Sequence, residues 1–117
     1  MNSSKVKSEI SLRDQLIERS NDLLDGNNSE VLSIVLRRLF RDVKFVFVIN
    51  WIPDQVEDIY WVLVGPLDIA QIEIMRGDGG CQSTLKMIDL ATYRRRQHSK
   101  ETRERLSIAL DIVKSIE

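Results

Sequence analysis

Phe45-Val-Phe-Val-Ile-Asn-Trp-Ile52 is the stretch on which the reading of the whole chain turns. It is apolar on both parities and rich in β-branched and aromatic residues, as a strand covered on both faces would be. Pro53 and the polar run Asp54-Gln-Val-Glu57 close it in a loop, and Ile59-Tyr-Trp-Val-Leu-Val64 repeats the pattern. Gly65-Pro66-Leu67-Asp68 places proline where a tight turn favours it. In the third strand, Ile69 to Met75, Ala70, Ile72 and Ile74 share one face while Gln71 and Glu73 lie on the other, so half exposure is expected. Gly77-Asp78-Gly79-Gly80 reads as a hairpin turn, and Cys81 to Met87 as a weaker fourth strand. Such short connections leave no room for a crossover helix. Parallel βαβ units are excluded, and an antiparallel meander of three to four strands remains.

On either side of this run the period becomes helical. Leu32, Val35, Leu36, Leu39, Phe40 and Val43 form one continuous apolar face behind a cap at Ser29. An earlier stripe of Leu12, Leu16 and Leu23, with Ile17 and Leu24, starts at a cap on Ser11 and stops before Gly26. The turn Asn27-Asn28 joins the two into a helical hairpin. Residues 1–9 are polar and expected to be frayed. After the strands, Asp89 caps a short helix reaching Arg96. Ser99 caps a final helix whose Leu106, Ala109, Leu110, Val113 and Ile116 are expected to be buried against the sheet. The expected fold is a single α+β domain over residues 1–117: N-terminal helical hairpin, antiparallel meander, and a C-terminal helix packed on the sheet.

Composition narrows the function classes. With 117 residues there is no room for a separate cofactor domain, and 43% apolar against 30% charged residues describe a globular chain. One cysteine excludes an internal disulfide and a cysteine-held structural zinc, and a single histidine leaves little basis for a hydrolytic triad. No apolar leader and no run of about 18 apolar residues are present, so a reduced, cytoplasmic, non-membrane protein is expected. The net charge of −1 hides an asymmetry. Residues 44–89 carry three basic and seven acidic side chains, residues 90–117 seven basic and four acidic. Charge separated in this way suits charged partners, or simply solvates different faces.

Three groups bear on chemistry. Asp54, Glu57 and Asp58 sit in the first hairpin loop, with Asp68, Glu73 and Asp78 further along. They suit an acidic partner surface, a metal or acid-base cluster, or a solvated loop with turn hydrogen bonds. The acid-then-lysine pattern of metal-dependent nucleases is missing, because Ile74 and Met75 follow Glu73. The basic stretch 94–105 could neutralise nucleic-acid phosphates, but Glu101 and Glu104 interrupt it at helical pairing distance. Trp51, Tyr60 and Trp61 read as core aromatics, and Cys81 as a small buried residue.

The run Trp51-Ile-Pro-Asp-Gln-Val-Glu-Asp-Ile-Tyr-Trp-Val-Leu-Val64 resembles stretches of small bacterial immunity proteins, the cognate inhibitors of polymorphic toxins, including those of contact-dependent growth inhibition. Asp68-Ile-Ala-Gln-Ile-Glu-Ile74, Tyr93-Arg-Arg-Arg and Arg105-Leu-Ser-Ile-Ala-Leu-Asp111 extend the resemblance over residues 45–112. It implies a cytoplasmic, non-enzymatic protein without cofactors that occludes the active site of one toxin C-terminal domain, expected to be a basic nuclease. Asp54, Glu57, Asp58, Asp68, Glu73 and Asp78 are then the candidate partner-binding residues. The competing expectation is a small nucleic-acid-binding regulator using residues 94–105.

Overall fold

The hydrophobic period changes at Lys44, and there helix gives way to sheet. The computed structural model describes residues 3–77 and 79–116. Two helices, α1 (Ser3–Leu24) and α2 (Val31–Leu39), precede four strands, β1 (Phe47–Pro53), β2 (Glu57–Gly65), β3 (Asp68–Gly77) and β4 (Gly80–Asp89). A short α3 (Leu90–Arg95) and a long α4 (Lys100–Ile116) complete the chain. The strands form one antiparallel sheet in sequence order, so each pairs with its neighbour across a hairpin. The fold is α+β, with an N-terminal helix pair and the C-terminal helix packed on the sheet.

Alternation sends side chains to both faces, and both are covered. Phe47, Ile49, Leu63, Ile69 and Ile88 meet Leu106, Ala109, Ile112 and Val113 of α4. Val62, Val64, Ala70, Ile72 and Ile74 meet Leu32, Val35 and Leu36 of α2 on the other side. α1 serves both layers, giving Leu16 to the first core and Leu23 to the second. Between them, buried Ser20 accepts a hydrogen bond from the Val46 amide at 2.9 Å. That bond ties α1 beside β1, and so covers one edge of the sheet. Arg19 donates twice to Glu30, at 2.6 and 2.7 Å, fastening α1 to the residue that opens α2.

Several local expectations are corrected. α1 begins at Ser3, so Ser11 lies inside the helix and does not cap it; Met1 and Asn2, at the head of the segment expected to fray, lie outside the described residues. Glu30, not Ser29, is the N-cap of α2, and its amide is taken by the Asn28 side chain at 2.9 Å. α2 ends at Leu39, leaving that side chain exposed while Phe40 and Val43 pack from the following turn. β1 starts two residues later than expected, because Phe45 and Val46 are buried ahead of the ladder. In α4, Ile112 is buried where Leu110 was expected; Leu110 is half-buried and Ile116 exposed. The caps at Asp89 and Ser99 form as read, accepting from the Thr92 and Thr102 amides at 3.1 Å each. Cys81 is exposed, because β4 is an uncovered edge strand.

Candidate functional site

Burial fades along the strands toward one end of the sheet. β1 is buried at Phe47 and Ile49 but exposed from Trp51 to Pro53; the last three residues of β3 and the first three of β4 are exposed too. At this end Trp51 borders a cleft shared with Leu12, Gln15 and Arg19 of α1, while the adjoining ends of β3 and β4 stay exposed. Four large apolar side chains stand on this end of the sheet: Trp51 at 52% exposure, Ile52 at 49%, Val56 at 57% and Met75 at 44%. Trp51, expected in the core, instead lies flat against its cross-strand partner Tyr60, with ring centroids 5.9 Å apart and planes 3° from parallel. Stacking holds the indole rigid while leaving half of it to solvent.

The loop between β1 and β2 is organised by Arg76. Its guanidinium reaches the Asp58 carboxylate at 2.6 Å and the Asp54 carbonyl at 2.6 Å, while its amide donates to the Val56 carbonyl at 2.8 Å. The hydrogen bond it donates to Asp58, and then the Asp58 charge, raise the Arg76 pKa above the ordinary value. Asp58 also accepts from the Asp54 amide at 3.3 Å, so its charge is spent on holding the loop. Asp54 stays exposed, its carboxylate accepting from the Gln55 amide at 2.7 Å, and Glu57 is half-buried beside Met75. Two carboxylates thus ring a pre-formed apolar tip.

The other expected site residues separate from this group. Asp68 opens β3 at the opposite end of the sheet. Glu73 lies mid-strand, where Gln71 donates to it at 3.3 Å and Thr84 at 3.5 Å, while Gln71 itself accepts from the Trp61 indole at 3.1 Å. Asp78 lies outside the described residues. Register also parts Asp58 from Glu73: Glu73 pairs with Ile59, the residue after Asp58, which places the two acids on opposite faces. Among the described residues, no group of three or more His, Cys, Asp or Glu side chains is arranged to hold a metal ion.

The basic stretch is dispersed. Arg95 turns back to the Thr92 hydroxyl, and Arg105 reaches Glu101 at 3.8 Å and the Ile49 carbonyl at 3.5 Å. His98 sits on the Tyr93 ring and bonds the Tyr93 carbonyl at 2.6 Å. Arg94 and Arg103 face a groove between α3 and α4. No helix among the described residues is long and apolar enough to cross a membrane.

Sequence reasoning found the acids of the first hairpin, although only Asp54 lies in its loop while Glu57 and Asp58 open β2, and missed the apolar side chains among them. The signal was present in Val56, an apolar residue inside a polar loop where a turn needs none. No family model matches the chain, and no curated protein or solved structure matches it.

Proposed function

We propose that the protein is a binding protein without catalytic activity, an immunity factor that captures a basic toxin domain, a nuclease by the charge it would carry, and occludes its active site in the cytoplasm. The observation that supports this best is the exposed end of the sheet. Exposed Trp51, Ile52, Val56 and Met75 are the aromatic, aliphatic and thioether anchors from which interface cores are made, and Asp54 and Glu57 are rim charges that attract a basic surface. The tip is already ordered by Arg76 and by the Trp51–Tyr60 stack, so little conformational freedom is lost on binding. Electrostatic steering by the carboxylates speeds capture, which is what inhibition of a lethal enzyme demands.

The test is co-expression with a toxin domain encoded immediately upstream of this chain. Wild-type protein protects the cells. Asp54→Lys combined with Glu57→Lys weakens binding by several kcal/mol, because like charges then meet across the interface. Asp54 is exposed and Glu57 half-buried, and the fold uses neither carboxylate as Arg76 uses Asp58, so folding stability changes by no more than about 0.5 kcal/mol. Full protection by the double variant moves the interface elsewhere, and failure of the wild type to protect overturns the reading.

A further inference from the structure

At the end of the sheet opposite the acidic tip, α3, α4 and the β2–β3 turn enclose a groove of about 590 Å³. Leu67, Leu90 and Leu110 are among the residues that line it. Leu67 stands at the lip with 66% exposure, its carbonyl pinned by the Leu90 amide at 2.8 Å. Arg94, Arg103 and Lys114 stand around the groove, with Asp111 as the one acidic side chain among the described lining residues, and His98 at the α3 side. Among the described residues, none of those three cations forms an ion pair. The lining charge is therefore +2 with His98 neutral.

Periodicity explains why α4 presents this surface. Leu106, Ala109 and Val113 face the sheet, while Arg103, Ser107, Leu110, Asp111 and Lys114 recur as an adjacent stripe turned toward the groove. From Arg103 to Lys114 this stripe runs about 16 Å at the helical rise, which matches an amphipathic helix of about three turns. Exposed Leu67 and half-buried Leu110 beside cations without ion pairs ask for a ligand that is apolar and anionic at once.

We propose that this groove is a second docking site, and that its occupant is an acidic segment of another protein bearing leucine- or phenylalanine-type anchors. Charge complementarity selects the acids, and Leu67 and Leu110 receive the anchors. A nucleic acid fits the lining less well. Among the described residues no Phe, Tyr or Trp lines the groove for base stacking, the His98 ring is already stacked on Tyr93, and Asp111 interrupts any phosphate track. The site is independent of the toxin reading, since it lies at the other end of the molecule and has the opposite charge.

The experiment is selection of a phage-displayed random library of about twelve-residue peptides, long enough to span the groove as a helix, on the full chain. Counter-selection uses Arg103→Glu with Lys114→Glu. Peptides rich in Asp and Glu with interspersed Leu or Phe are expected, binding the double variant at least tenfold more weakly. Methyl resonances of Leu67, Leu90 and Leu110 shift on addition of a selected synthetic peptide. Both substituted side chains are exposed, and thermal melts of the variant check that it folds. Three results overturn the proposal: selected peptides without acidic enrichment, acidic peptides that bind the double variant equally well, or a single-stranded RNA oligonucleotide that binds more tightly than any selected peptide. Concentration-dependent self-association abolished by Asp54→Lys with Glu57→Lys also overturns it, because the occupant is then the acidic tip of a second copy.

Discussion

Tyr93 is 1% exposed, and its hydroxyl has no hydrogen-bond partner among the described residues. Burial disfavours the phenolate and pushes the pKa up to about 12. The sign follows from the two states. Below about pH 10 both bind the proton and stability is unaffected; above it the unfolded chain releases the proton first, so stability falls as pH rises toward 12. Tyr93→Phe is expected to be neutral or to stabilise by about 1 kcal/mol, since an unsatisfied buried hydroxyl is removed. It should also blunt alkaline unfolding between about pH 10 and 12. Urea midpoints at neutral and alkaline pH check both statements; a loss of more than about 1 kcal/mol at neutral pH would mean that the hydroxyl is satisfied by water. Some alkaline sensitivity remains in the variant, because burial also raises the pKa of Tyr60.

Elements start and stop where local chemistry is strong. The Asp89 carboxylate accepts from the Thr92 hydroxyl at 2.6 Å and from the Thr92 amide at 3.1 Å, and these bonds lower its pKa. A depressed carboxyl pKa contributes stability above the unfolded value of about 3.9, and that contribution is lost as pH falls through the lower folded value. Asp89→Asn keeps a competent cap but removes the charge. Wild type is expected to melt above the variant at neutral pH, with the gap closing as pH falls below about 4; a gap constant with pH would show that the charge contributes nothing. Both Asp89 and Ser99 were legible as caps, because each carries its acceptor one turn ahead of its donor. Ser11 and Ser29 were misread. The run from Ser3 continues helically, and Glu30 is drawn into the capping position by Arg19 and Asn28. Leu110 was misread for another reason: α4 has two neighbouring apolar stripes, and periodicity alone does not say which one the sheet covers.

On the scale of the molecule, two cores share one sheet. Leu36 belongs to the α2 side and Leu106 to the α4 side. Truncation of either to Ala is expected to cost about 2–5 kcal/mol. Because the same strands supply both cores, each substitution should shift one common transition. Tryptophan fluorescence and far-ultraviolet circular dichroism should then give coincident curves; two separated transitions would mean that the layers unfold independently.

The α+β class, the four-strand meander and the flanking helices were legible in residue order, because a period of two or of 3.6 and the turn residues between are local properties. The acids of the first hairpin were legible too, since charges between two apolar strands stand out in residue order, although Asp58 turned out to hold the loop through Arg76. Exposure was not. Trp51 and Ile52 read as core because their strand is apolar on both parities, yet only the end that helices cover is buried, and where cover stops depends on how long the strands run past α2 and α4. The pairing of Asp58 with Arg76, eighteen residues apart, and the separation of Asp68 from Asp54 likewise follow from strand register. So does the groove: Leu67, Arg94 and Lys114 are far apart along the chain and meet because α4 folds back beside the β2–β3 turn.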